Sequence, residues 1–242
     1  MNAILLIARR ELGSYFRTWL GYIIIAAVLL LQGILFNAFA LGSGMDRRSS
    51  DVVMQFFYTM SGCTMVAAIF ISMRLLAAER EGGTVNLLYS SPVRDGEIVV
   101  GKFLSALAFL AILLFATSFM PAMVLLAGKI SWGHVFAGYL GLLLLGSAVL
   151  AVGTLGSALT RSQILSVIIS ALMVVALLTC WWVGRVSDRP LSSVFENLAL
   201  WQIHFQPFMS GIVHTRDVIF YLAITYVGLF GATRVLEARR WR

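Results

Sequence analysis

Charge is what this sequence has least of. Only 12% of its 242 residues are Asp, Glu, Lys or Arg, while 60% are hydrophobic. An ordinary soluble domain carries about 25% charged residues, so that class is excluded. Cysteine is scarce too. Cys63 and Cys180 show no CxxC spacing and have no neighbouring histidine, so they read as small apolar residues rather than a metal or redox pair. Histidine is limited to His134, His204 and His214, none deep inside an apolar run. An intramembrane serine protease needs a Ser with a positioned His; Ser147 and Ser157 have none. Ion-coupled transporters and proton pumps usually carry acidic or basic side chains within their spans, and the apolar runs here lack them. Any driving energy therefore comes from another subunit. No internal repeat or low-complexity linker divides the chain, which reads as one domain over residues 1–242.

What is present is apolar length. Six runs contain no Asp, Glu, Lys or Arg: 18–45, 52–73, 103–128, 130–160, 162–184 and 218–233. About 20 apolar residues span a bilayer as a helix. The last run is short, but it reaches Val235 and Leu236 if Arg234 snorkels to the interface. Small residues ending an apolar stretch, as in Ala38-Phe39-Ala40, can mark a cleaved leader. The run before them is longer than the 7–15 residues of a leader's apolar region, so it reads as the first span. The expectation is an all-α membrane protein with six transmembrane helices and its termini on one side.

Basic residues orient it. With the N-terminus in the cytoplasm, twelve Lys and Arg fall inside: Arg9, Arg10, Arg17, Arg74, Arg80, Arg94, Lys102, Arg161, Arg234, Arg239, Arg240 and Arg242. Six fall outside: Arg47, Arg48, Lys129, Arg185, Arg189 and Arg216. This is the positive-inside bias. It accounts for the net charge of +7 without nucleic acid, and makes lipid a partner.

Three polar stretches punctuate the spans. Residues 1–17 hold "AILLIARRELGSYFR", with Ile4, Leu5, Ala8, Leu12, Tyr15 and Phe16 at helical spacing. That predicts an amphipathic helix on the inner membrane face, either anchoring the first span or also touching a cytoplasmic partner. Residues 185–216 form an outer segment. Ser193 as N-cap with Glu196 three residues on predicts a capping box, and Pro207 is expected to interrupt the helix it starts. Thr215 is expected to cap the sixth span, with Asp217 in its first turn. Phe195, Leu198, Trp201, Phe205, Pro207 and Phe208 are candidates for an outer gate, or for an interfacial aromatic belt. The segment is expected to dip into the bilayer and return. Within the spans, Gln32, Asn37, Ser61, Thr64, Thr117 and Ser118 read as helix–helix hydrogen-bonding residues. The pairs Gly153/Ser157 and Gly156/Thr160 mark close packing, within the chain or between two chains.

The richest stretch is "RLLAAEREGGTVNLLYSSPVRDGEIVVGK", residues 74–102. Its eight charges would cost roughly 20 kcal/mol or more to bury in lipid, at about 2.5–3.5 kcal/mol each, so it lies in the aqueous phase. Gly82-Gly83 permits a sharp turn. Thr84 can cap a short helix through Val85, Leu87, Leu88 and Tyr89. Ser91-Pro92 offers an N-cap and a starting proline for a helix leading into the third span. An apolar helix tip at the membrane surface calls for a partner. Gly96 to Lys102 spells GxxxxGK, but Phe103 stands where a phosphate-binding loop needs Ser or Thr. Lys102 is expected to be an interfacial anchor.

The block resembles the cytoplasmic segment of ABC-2 type transporter permeases, carried here by "GTVNLLYSSPV" and "EIVVGK". The nearest likeness is to the gliding-motility-associated group, whose N-termini resemble "RRELGSYFRTWLGYII". The resemblance implies a coupling helix around Thr84–Val93 seated on a separate ATPase. The interface would take in Glu79, Arg80, Glu81, Gly82, Gly83, Thr84, Leu87, Leu88, Ser91, Pro92 and Val93. Asn86 and Tyr89 depart from the family pattern. It further implies an ATPase in two copies that holds ATP and Mg, no cofactor or hydrolysis in this chain, and a second permease chain, alike or different. An outer-facing accessory protein is a further candidate partner. The location implied is the bacterial inner membrane, and the function is export or extrusion. The alternative is a membrane scaffold for an ATPase-driven envelope machine.

Overall fold

The computed structural model describes residues 3–41, 49–83, 94–127, 131–188 and 191–240. Among them there is no strand. The described residues form eleven α-helices in turn: α1 (Ala3–Arg17), α2 (Trp19–Leu35), α3 (Ser49–Ser72), α4 (Ala77–Glu81), α5 (Asp95–Ala116), α6 (Phe119–Ala127), α7 (Trp132–Leu159), α8 (Gln163–Val186), α9 (Leu191–Leu198), α10 (Gln206–Met209) and α11 (Thr215–Arg240). A π-helical turn, Phe36–Leu41, extends α2. Six stretches are long and apolar enough to cross a membrane: Gly21–Phe39, Ser49–Glu81, Asp95–Val124, Trp132–Leu159, Gln163–Val186 and Thr215–Arg239. The all-α, six-span expectation holds. The sixth span also runs past Arg234, whose guanidinium is exposed and lies over the Phe230 ring.

The spans are not equivalent. In α7, 72% of the span is buried, against 17% for those of α2, α8 and α11. A helix apolar on every side is one surrounded by other helices, and α7 is the hub. Glycine lets its neighbours approach. A Cβ on Gly153 would collide with Ser72 Oγ of α3, and one on Gly156 with Ser170 Oγ of α8. Ser170 Oγ donates to the Gly153 carbonyl at 3.3 Å. The small-residue pattern in this stretch therefore serves packing within the chain. Helix–helix hydrogen bonding holds for Gln32, whose amide reaches Thr59 Oγ1 at 3.1 Å, and for Thr117, 3.2 Å from the Tyr139 hydroxyl. Thr64 instead bonds to the Met60 carbonyl of its own helix.

Several boundaries differ from expectation. α5 starts at Asp95, beyond Pro92, because Arg94 is extended (ψ 143°) and its N–H is capped by Glu97 Oε2 at 3.1 Å. Asp95 and Glu97 suit the positive end of a helix. α9 starts at Leu191, so Ser193 lies inside it rather than capping it, and Ser192 Oγ meets Glu196 Oε1 at 3.4 Å. That helix ends at Leu198, before any proline; Pro207 lies in the first turn of the separate α10, where a missing N–H costs nothing. α11 includes Thr215, and the His214 carbonyl accepts the Asp217 N–H at 3.0 Å. Finally, α1 does not lay its apolar face on lipid alone. Tyr15 stacks on Phe109 of α5 at 4.7 Å, and its hydroxyl donates to the Ile71 carbonyl at 3.4 Å. Burial, reinforced by the Glu11 carboxylate and opposed by Arg74, pushes the Tyr15 phenol well above its usual range, so it stays a donor.

Two ends emerge. Both termini, α4 and the turn between α7 and α8 gather at one, the terminal end: Arg239 Nη2 donates to the Leu159 carbonyl at 2.6 Å. Residues 191–214 form the other, the hairpin end.

Candidate functional site

The polar block at the terminal end is built from a five-residue helix. So short a helix leaves nearly all its backbone groups unpaired internally, so its neighbours must supply partners. At its start, the Leu76 and Ala77 N–H groups donate to Ser157 Oγ of α7 at 3.1 and 2.9 Å. The same hydroxyl donates to the Met73 carbonyl at 3.2 Å. At its end, Gly82 and Gly83 close the turn, Gly83 with a left-handed φ of 69° that glycine alone adopts freely.

Three consecutive side chains then diverge. Glu79 Oε1 pairs with Lys102 Nζ of α5 at 2.7 Å, and Lys102 also pairs with Glu11 of α1 at 3.2 Å. Arg80 donates to the Ala158 carbonyl and to that of Thr160 at 2.9 Å, at the C-terminal end of α7. Glu81 Oε2 accepts the Gln163 N–H at 3.2 Å, at the start of α8. The cation thus meets the negative end of one helix and the carboxylate the positive end of the next. This corrects the expectation for Lys102. Its side chain is 3% exposed, so it is the centre of a buried ion cluster and not a snorkelling anchor. A lone buried ammonium is costly, and two carboxylates from different helices offset that cost.

Of the residues expected at a partner interface, Thr84, Leu87, Leu88, Ser91, Pro92 and Val93 lie outside the described residues. Glu79, Arg80, Glu81, Gly82 and Gly83 are brought together, with Glu79 and Arg80 turned into the bundle and Glu81 exposed at the start of α8. A cavity of about 690 Å³ opens at the start of α5, lined by Ile4, Arg94, Asp95, Glu97, Thr233 and Glu237.

The hairpin end has different chemistry. α9 folds back along α8, where Gly184 leaves room for Glu196. The chain then descends until the Leu200 N–H meets the Leu177 carbonyl at 3.4 Å. Leu177 lies nine residues before Val186, so the descent is about 13 Å at 1.5 Å per residue. The expected dip and return is present. Backbone at that depth needs protein partners. Tyr221 donates to the Leu200 carbonyl at 2.9 Å, and His134 Nε2 to that of Met209 at 2.7 Å. Trp201 Nε1 donates to Ser61 Oγ at 2.9 Å. His204 stacks on Phe220, with Nδ1 2.7 Å from Asp217 Oδ1 and Nε2 3.1 Å from the Asn197 carbonyl. Among the gate candidates, Phe205 and Phe208 are fully buried, Phe195, Trp201 and Pro207 partly so, and Leu198 is exposed.

Glu11 was missed by sequence reasoning; Ser157 was read only for close packing and Asp217 only for the first turn of the sixth span, where it lies. Glu11 and Lys102 stand 91 positions apart, and no local spacing links them. A single buried-looking Ser in a glycine-rich helix gives no sign of capping another helix.

Six apolar spans, one of them a buried hub, with a charged brace at one end and a re-entrant hairpin at the other, define a polytopic helical membrane protein. Residues 6–225 match the family described as ABC-2 family transporter protein. The chain belongs to that family, and is a membrane permease of an ABC transporter. Membership implies association with an ABC ATPase subunit. No curated protein gives a significant match.

Proposed function

We propose that the chain is the membrane half of an exporter or extruder in the bacterial inner membrane, with both termini in the cytoplasm. Two copies of a separate ABC ATPase would hold the ATP and Mg, hydrolyse the nucleotide and engage residues 84–93. Two permease chains would enclose the pathway, and this chain would catalyse no reaction itself. The finer kinship is with the gliding-motility-associated permeases, on the N-terminal likeness given above. One observation carries the reading. The residues immediately before 84–93 are the most heavily braced polar element at the terminal end, tied through side chains to α1, α5, α7 and α8. A loop of no consequence needs no such bracing. A helix that receives a push does.

The test is co-purification with a candidate ATPase from a neighbouring gene. Leu87→Asp or Leu88→Asp is expected to abolish the complex while membrane insertion persists. A complex retained by both variants would defeat the assignment of the segment. A cysteine at Arg94 labelled only from the external medium would defeat the orientation.

A further inference from the structure

α4 and the α7–α8 hairpin cap one another. Ser157, near the end of α7, accepts the first N–H groups of the α4 turn, at 3.1 and 2.9 Å. Arg80, inside α4, donates to the carbonyls of Ala158 and Thr160, where α7 runs out. Glu81, the last residue of α4, accepts the Gln163 N–H, where α8 begins. Three helix ends are therefore completed by side chains from the opposite element. Each such cap stabilises the helix end it completes, and the dipole complement adds to it where the groups are partly buried. Separating α4 from the hairpin would expose all three ends together. The two elements thus have one low-energy arrangement, with three caps between them against the single Glu79–Lys102 pair that ties α4 to α5. The seam below them is equally tight: Gly153 and Gly156 admit Ser72 and Ser170 without a Cβ between.

From this geometry we infer that Arg80, Glu81 and Ser157 are positioning residues that make the α7–α8 hairpin the element displaced when an ATPase acts on the adjoining segment. The inference rests on the proposed reading of residues 84–93 as the ATPase contact. It adds which part of the bundle receives the motion. α7 is the hub, so a displacement entering at its end reaches every helix packed on it. α8 is mostly exposed, and can move without rebuilding a core.

The experiment uses the full chain in nanodiscs with its ATPase bound. Cys63 and Cys180 are replaced, and spin labels are placed at Arg161 in the turn and at Trp19 on α2, both exposed. Adding ATP with a hydrolysis-blocked ATPase is expected to shift the label distance in the parent chain. Arg80→Gln is expected to keep the ATPase bound but to lose at least half of that shift. Arg80→Lys, which retains a cation and donors, should restore part of it. Glu81→Ala removes only an exposed carboxylate, and is expected to weaken the shift without loss of folding; it carries the test if Arg80→Gln does not accumulate. A full shift in both Arg80→Gln and Glu81→Ala overturns the inference. Absence of ATPase binding to the parent chain overturns the underlying reading instead, so the two failures are distinct.

Discussion

The terminal and hairpin ends solve one problem by different means. Each must place irregular backbone next to a membrane-spanning bundle. At the terminal end charged side chains do it: Lys102 between two carboxylates, Arg80 on carbonyls, Glu81 on an N–H. At the hairpin end the direct partners of the backbone are Tyr221, His134 and the Leu177 carbonyl, with Trp201 reaching Ser61. His204 adds a further backbone contact there, with Nε2 on the Asn197 carbonyl and Nδ1 held by Asp217. Water explains the contrast. Charged caps are affordable where solvent is close, as for Glu79 and Glu11, about a fifth exposed. About 13 Å down a span, shape and neutral hydrogen bonds are cheaper.

The largest test of this contrast is Lys102→Met. It leaves Glu11 and Glu79 facing each other without a cation. Breaking a buried pair by removing one partner costs about 3–5 kcal/mol. Thermal unfolding in nanodiscs should show that loss. Adding Glu11→Gln and Glu79→Gln should recover most of it. Hydrogen exchange should rise in α1 and α4 and stay unchanged in residues 199–209. A uniform rise across both ends would erase the distinction.

Next comes Gly141→Ala. The added Cβ would sit 2.6 Å from Phe208 Cβ. Overpacking of this kind costs about 1–3 kcal/mol. The effect should be confined to the hairpin end, read as faster proteolysis between residues 199 and 214 with α4 still protected. An unchanged digestion pattern would show that α10 is not wedged against α7.

Ser61→Ala should cost less, about 1 kcal/mol for an indole N–H left without its acceptor. Ser61→Thr should restore it. The smallest effect belongs to Arg234→Ala. Its pair with Glu237 is 3.0 Å long, but its side chain is 64% exposed, and such pairs contribute under about 0.5 kcal/mol. An unchanged melting temperature would sharpen the rule for the terminal end: charge matters there where it is buried. A drop as large as that for Lys102→Met would contradict it.

Legibility in the sequence followed the same division. Apolar run length alone located six spans, because the cost of charge in lipid acts on each residue without regard to its neighbours. It also placed the polar block outside the hydrocarbon, and the dip of residues 185–216 was visible in their mixed polarity. Helix starts were less legible. Ser193 and Thr215 look like caps, yet both lie inside helices, because a cap is fixed by backbone angles at one residue. Lys102 looked like an interfacial anchor because its partners come from α1 and α4, far away in the chain.

By itself, then, the sequence determined the all-α class and the number of spans. Hydrophobic transfer is additive and local, so a linear reading captures it. Tertiary structure alone decided that Lys102 is an ion-cluster centre, that Ser157 and Arg80 complete each other's helices, and that α7 is the hub. Those outcomes depend on which helix ends meet, and hydrogen bonds and ion pairs act only between groups brought within about 3 Å.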